Sequence, residues 1–116
     1  MLNLVVIRVA NIDRSRAFYE AIGLSFERHQ HGSKGLPHFA SVEEENQGVV
    51  FEIYPSAGKE TVDVRLGFSV PDVDETLGVL TSQGGTVLSS AKDSPWGRRA
   101  VIKDLDGHKV ELCQSA

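Results

Sequence analysis

The sequence contains one cysteine, one tryptophan and one methionine in 116 residues, and four prolines. A lone thiol, Cys113, closes no intrachain disulfide, which excludes a disulfide-stapled scaffold and agrees with a reducing compartment. No stretch approaches the roughly 18 consecutive apolar residues of a membrane-spanning helix, so no membrane partner is expected. There is no basic run and no zinc-finger or RNP-like spacing. Lysine and arginine total 12 against 16 acidic residues, a formal charge of −4. Phosphate backbones need a basic surface, so a nucleic-acid partner is not expected either. The sequence also lacks a GxSxG elbow, a phosphate loop and a dinucleotide fingerprint. Met1-Leu2-Asn3-Leu4 runs directly into a strand-like segment without the pattern of a signal or transit peptide, and the expected location is cytoplasmic.

What is present is the balance of an ordinary globular domain, 41% hydrophobic and 24% charged. Its organising feature is an internal repeat. Leu4 to Gly23 aligns with Arg65 to Gly84 without a gap at a constant offset of 65 − 4 = 61. Under this offset Val9 meets Val70, Asn11 meets Asp72, Asp13 meets Asp74 and Gly23 meets Gly84. Each copy reads as an alternating strand, a helix cap, an amphipathic helix and a terminating glycine. Asn11 and Asp72 are suited to accept the orphan amides of a first helical turn. Phe18 and Ile22 share a face of one helix, and Val73, Leu77 and Leu80 share a face of the other.

Three strand-like runs follow each helix. They are Leu24–His29, His38–Val42 and Val49–Tyr54 in the first copy, and Thr86–Ser89, Arg99–Lys103 and Lys109–Cys113 in the second. Turn residues separate them. Asp104-Leu105-Asp106-Gly107 resembles the start of a calcium loop but lacks the later ligands, and reads as a turn. The segment Pro55–Thr61 reads as a linker. The expected fold is therefore α+β: a single domain over residues 1–116 made of two tandem βαβββ modules, about 3–55 and 62–114. A curved mixed sheet surrounds a concave cavity and the helices lie on its outer face.

This grammar resembles the vicinal oxygen chelate superfamily of glyoxalases, bleomycin-resistance proteins and extradiol dioxygenases. The resemblance covers residues 3 to 114. It is carried by Arg8-Val9-Ala10-Asn11-Ile12-Asp13-Arg14-Ser15-Arg16-Ala17-Phe18-Tyr19, by Val70-Pro71-Asp72-Val73-Asp74, and by Trp96-Gly97 with Asp104-Leu105-Asp106-Gly107-His108-Lys109-Val110-Glu111-Leu112. In metal-using members the resemblance implies four ligands, on the first and fourth strand of each module. The matching positions here are Leu4, Glu52, Arg65 and Glu111. Both glutamates match and both histidines are replaced, so the usual metal centre is read as absent and no cofactor is expected.

Residues two apart on a strand share a face. The concave face should carry Leu4, Val6 and Arg8; Val50, Glu52 and Tyr54; Arg65, Gly67 and Ser69; and Lys109, Glu111 and Cys113. The candidate ligand-binding residues are Arg65, Glu52, Glu111, His38, Trp96 and Arg8. Arg65 with the two glutamates reads first as an ion-pair cluster filling the vacated metal position, and second as a site for a carboxylate, phosphate or enolate. His38 begins a strand near the cavity mouth. His29 and His31 are expected to be exposed; their shared strand parity permits a surface metal site without singling one out. His108 is expected to face solvent, and Cys113 to be a small buried residue. Trp96 is read either as an aromatic wall for a ligand or as a plug over the sheet end.

Two functions follow. One is metal-independent binding of a small organic molecule, in a homodimer as the resemblance implies. The other is a lyase, isomerase or dioxygenase of the same superfamily, using Arg65 with Glu52 or Glu111, or a metal site rearranged around Glu52, Glu111 and His38.

Overall fold

In the computed structural model, which describes residues 1–42 and 46–114, the chain forms eight strands and two helices. Their order is β1 (Leu4–Val9), α1 (Ile12–Glu20), β2 (Phe26–His29), β3 (His38–Ser41), β4 (Val50–Pro55), β5 (Arg65–Ser69), α2 (Val73–Ser82), β6 (Thr86–Ser94), β7 (Gly97–Lys103) and β8 (Lys109–Gln114). They fall into two compact units, Met1–Thr61 and Val62–Ala116. Each unit is a βαβββ module with its own open, mixed, four-stranded sheet. The strand order is β1-β4-β3-β2 in the first and β5-β8-β7-β6 in the second. Among the described residues no helix is long and apolar enough to cross a membrane.

The local chemistry explains the helices. Asn11 and Asp72 have extended backbones, and their side chains accept from the amides of Arg14 and Glu75, at 3.1 and 3.0 Å. Each therefore satisfies one donor that the first turn leaves unpaired. The amide of Val73 is taken by Gln114 Oε1 at 2.9 Å, which ties the start of α2 to the end of β8. Gly23 and Gly84 follow the two helices with φ of +124° and +104°, a backbone region that a Cβ disfavours.

Parallel pairing of the first and last strands sets the register in both modules. Leu4 lies opposite Val50 and Val6 opposite Glu52, while Arg65 lies opposite Lys109 and Gly67 opposite Glu111. Alternation then divides each sheet into two faces. In module one Ile7, Val9, Phe51 and Ile53 are buried, and α1, which packs on β4 and β3, has Phe18 and Tyr19 fully buried. The Tyr19 ring meets Phe51 edge-on at 4.9 Å. In module two Ala100, Ile102, Val110 and Leu112 are buried with Val73 and Leu80 of α2. The opposite faces carry the residues expected there, with Leu4 at 47% and Val6 at 39% exposure.

Three features differ from expectation. First, β6 continues to Ser94 instead of ending at Ser89. Ser90-Ala91-Lys92-Asp93 has no β-branched alternation, but the run pairs with β7 across two register shifts. Bulges of this kind break the period of two that a sequence displays. Second, His108 is not solvent-facing but 1% exposed. Asp104 is buried with it: one carboxylate oxygen accepts from the amides of Asp106 and His108 at 2.9 and 2.8 Å, and the other contacts His108 Nδ1 at 2.7 Å. The Asp104–Gly107 turn is thus built around a carboxylate–imidazole contact. Third, Trp96 is no plug. It is 74% exposed in the two-residue connection between β6 and β7.

Truncation should report this hierarchy. Leu112→Ala removes a fully buried side chain and is expected to cost about 2–5 kcal/mol in denaturant unfolding. Asp72→Ala loses one cap and should cost about 1 kcal/mol. Asp104→Ala removes the acceptor of the buried His108 amide, the part-buried Asp106 amide and the His108 ring, and should cost on the order of 3 kcal/mol.

Candidate functional site

In module two the polar face centres on Glu111. It stands on β8, the strand between β5 and β7, so side chains from both neighbours reach it. Arg65 on β5 donates to its Oε1 from Nη2 at 2.6 Å, and Arg99 on β7 contacts the same oxygen. The hydrogen bond from Arg65, together with Arg99, holds the Glu111 carboxyl below the usual carboxylate range, against a smaller opposing effect of burial. Arg65, Arg99 and Lys92 line a cavity of about 280 Å³ with Ser89, Ser94, Ala100 and Val101. A second hollow of about 240 Å³ is also lined by Arg65, together with Asp63, Val64, Gly107 and Lys109. Cys113 is half-exposed rather than buried, with its sulfur 3.6 Å from the Trp96 carbonyl oxygen.

In module one the polar face carries a row of side chains across all four strands. Arg8 of β1 lies opposite Tyr54 of β4, and His29 of β2 opposite His38 of β3. The Arg8 guanidinium sits over the Tyr54 ring at 5.6 Å. The Tyr54 and His38 rings are stacked, 4.1 Å apart and 8° from parallel. Although the Tyr54 hydroxyl is 3.3 Å from His38 Nε2, stacking places it above the imidazole rather than in its plane. The contact is therefore a poor hydrogen bond. His38 is 1% exposed; its Nδ1 is 2.9 Å from the Leu36 carbonyl and its Nε2 is 3.6 Å from Glu52. Burial, followed by the charge of Glu52, raises the Tyr54 phenol above its usual range, with Arg8 opposing.

The sequence profile of the glyoxalase/bleomycin resistance protein/dioxygenase superfamily matches residues 1–112. The chain belongs to this superfamily. Among the relatives of this superfamily member is a probable lactoylglutathione lyase of Vibrio parahaemolyticus, 30% identical over 95% of this chain and 87% of that one. Another protein with that name, from Synechocystis, is 26% identical over 96% and 92%. Of the solved structures, the antibiotic binding protein TnmS3 from Streptomyces sp. CB03234 superposes with a TM-score of 0.74 at 24% identity, covering 100% of this chain and 96% of that one. A superfamily enzyme from Burkholderia phytofirmans gives 0.72 at 16% identity, over 98% of each chain. At these identities the structural likeness establishes the fold.

The residues present do not fit the metal that the superfamily implies. Leu4 offers no donor atom. Arg65 offers a cation that cannot deprotonate, and Glu111 is already held by two guanidinium groups. Of the six candidate residues, Arg65 and Glu111 come together in module two, and Arg8, His38 and Glu52 in module one. Trp96 stands exposed at its hairpin tip. The sequence reading missed Arg99 and Lys92, which pair with each other across β6 and β7. Arg99 was within reach of it: opposite Cys113 in an antiparallel pair, it shares the face of Glu111.

The depressed Glu111 carboxyl has a definite pH signature. Its contribution to stability is present above the ordinary carboxylate range and is lost as pH falls through the depressed folded value. In a carbon-detected NMR titration Glu111 should titrate below the ordinary carboxylate range, and Arg65→Ala should move its midpoint up toward that range.

Proposed function

We propose that this protein binds a small anionic organic molecule, a carboxylate or phosphate ester, in module two without the superfamily's metal. The observation that carries this reading is the pair of arginines gathered on one glutamate at the edge of a cavity. Arg65, Arg99 and Lys92 supply three cations to a space of about 280 Å³, against the single carboxylate of Glu111. The volume is near the lower end for small-molecule pockets. Arg65 occupies a position where metal-using relatives carry a ligand, and a guanidinium there takes over the metal's attraction for oxygen anions through a fork of donors. An incoming anion would exchange with Glu111, which keeps the arginines paired in the free protein. The binding role of TnmS3, named an antibiotic binding protein, is in keeping with a cavity used for capture. The homodimer implied by the superfamily resemblance and a cytoplasmic location belong to the same proposal.

A second reading is supported by the relatives named probable lactoylglutathione lyase. In it Arg65 would stabilise negative charge developing beside a carbonyl and Glu111 would serve as the base. Its difficulty is that a carboxylate held below its usual range is a weak base.

The test is a panel of small mono- and dicarboxylates and inorganic phosphate, titrated into metal-free protein and followed through the arginine side-chain NMR signals. Saturable shifts at Arg65 and Arg99 are expected. Arg65→Ala should weaken binding by about 10-fold or more, the worth of a charge-assisted hydrogen bond. Glu111→Gln should tighten it, because the internal competitor is gone. Equal affinity in the wild type and Arg65→Ala would refute the proposal. Lactoylglutathione lyase activity in metal-free protein that disappears in Glu111→Gln would establish the lyase reading instead.

A further inference from the structure

Three of the four histidines converge at the outer edge of the module one sheet, and none of them stands at a superfamily ligand position, although His38 lies 3.6 Å from one, Glu52. His29 ends β2, His31 lies two residues beyond it, and His38 begins β3 after the intervening loop. Each offers one ring nitrogen, and these nitrogens lie within 4.8 Å of one another. We propose that His29, His31 and His38 form a binding site for a divalent transition metal of the zinc class.

Imidazole is a preferred donor for zinc, copper and nickel. Tetrahedral zinc holds nitrogens at about 2.0–2.1 Å, which puts donors roughly 3.4 Å apart. The existing spacing of up to 4.8 Å therefore needs closure of up to about 1.4 Å, and His31 has the freedom to provide it, being solvent-exposed. The backbone between the ligands is already folded to present it. A Cβ on Gly35 would lie 2.1 Å from the His31 carbonyl oxygen, so only glycine allows the loop to close this tightly on His31.

His38 supplies a second and independent indication. Its Nδ1 faces the Leu36 carbonyl at 2.9 Å, and a carbonyl only accepts. The ring proton therefore sits on Nδ1, as it does in many metal-bound histidines whose outer nitrogen donates to a carbonyl. Its Nε2 lies 3.6 Å from the Glu52 carboxylate, with His38 buried and the Glu52 side chain 19% exposed, so an imidazole nitrogen and a carboxylate oxygen stand together at the edge of the cluster. A second carboxylate, Glu27, lies 3.4 Å from His29 Nε2 on the exposed side. Together they set two carboxylates beside the cluster, which favours a bound cation.

The experiment uses untagged, chelator-stripped protein titrated with zinc chloride against a chromophoric chelator, with histidine ring NMR signals recorded in parallel. One zinc per chain is expected, with shifts at His29, His31 and His38. His31→Ala, at an exposed position that leaves the fold intact, should weaken binding by at least about 10-fold, and His29→Ala similarly. Glu111→Gln should retain the zinc. Less than half an equivalent bound, or unchanged affinity in His31→Ala, overturns the proposal. Zinc lost in Glu111→Gln and kept in His31→Ala overturns it as well, by placing the metal at the superfamily position. Anion binding to zinc-free protein is read separately, so the two proposals fail independently.

Discussion

The parallel pairing of the first and fourth strands in each module is the constraint from which the rest follows. It forces the chain through a helix before the sheet can be completed, and that helix covers one face. It also makes the fourth strand central, with a neighbour on each side. Any side chain on its open face is therefore within reach of two other strands. Glu111 holds that position on β8 and Glu52 on β4, one between two arginines and the other beside a histidine.

The two modules use this position differently because their flanking strands differ. In module two Arg65 and Arg99 bracket the glutamate and leave an excess of positive charge along a cavity. The residues directly opposite the two glutamates are uncharged in both modules, Val6 and Ala40 beside Glu52 and Gly67 and Val101 beside Glu111. The difference lies one pair along the strands, where module one has Leu4 and His38 in place of Arg65 and Arg99, and its polar side chains form the Arg8–Tyr54–His38–His29 row. The outcome is an arginine-rich face on one module and an imidazole-rich edge on the other, built on the same backbone plan.

Much of this plan was legible in the sequence. The offset of 61 that relates Asn11 to Asp72 also relates the first residues of the helices, Ile12 and Val73. Strand alternation separated the buried from the open face because a period of two survives wherever one side packs on a helix. What stayed hidden had physical causes. The bulged half of β6 has no periodicity to read. His108 sits in a turn of polar residues, and its burial depends on a carboxylate four residues earlier satisfying two amides and a ring at once. The three histidines meet because β2 and β3 pair with His29 opposite His38, a register that loop composition alone does not disclose. Arg99 was overlooked rather than hidden: it comes from β7, where no superfamily ligand is expected, yet its face follows from its pairing with Cys113.

Glu111 has one further consequence. A carboxylate held by the sheet within hydrogen-bond reach of its arginines acts as a resident occupant at high effective concentration. It spares Arg65 and Arg99 their mutual repulsion when nothing else is bound, and it sets a threshold that visitors must exceed. Under the proposed role, chloride should displace it less readily than a carboxylate or a phosphate ester. A molecule with two well-spaced acidic groups, able to engage Lys92 as well, has the advantage. Selectivity in such a site comes from the guest already in residence as much as from the walls around it.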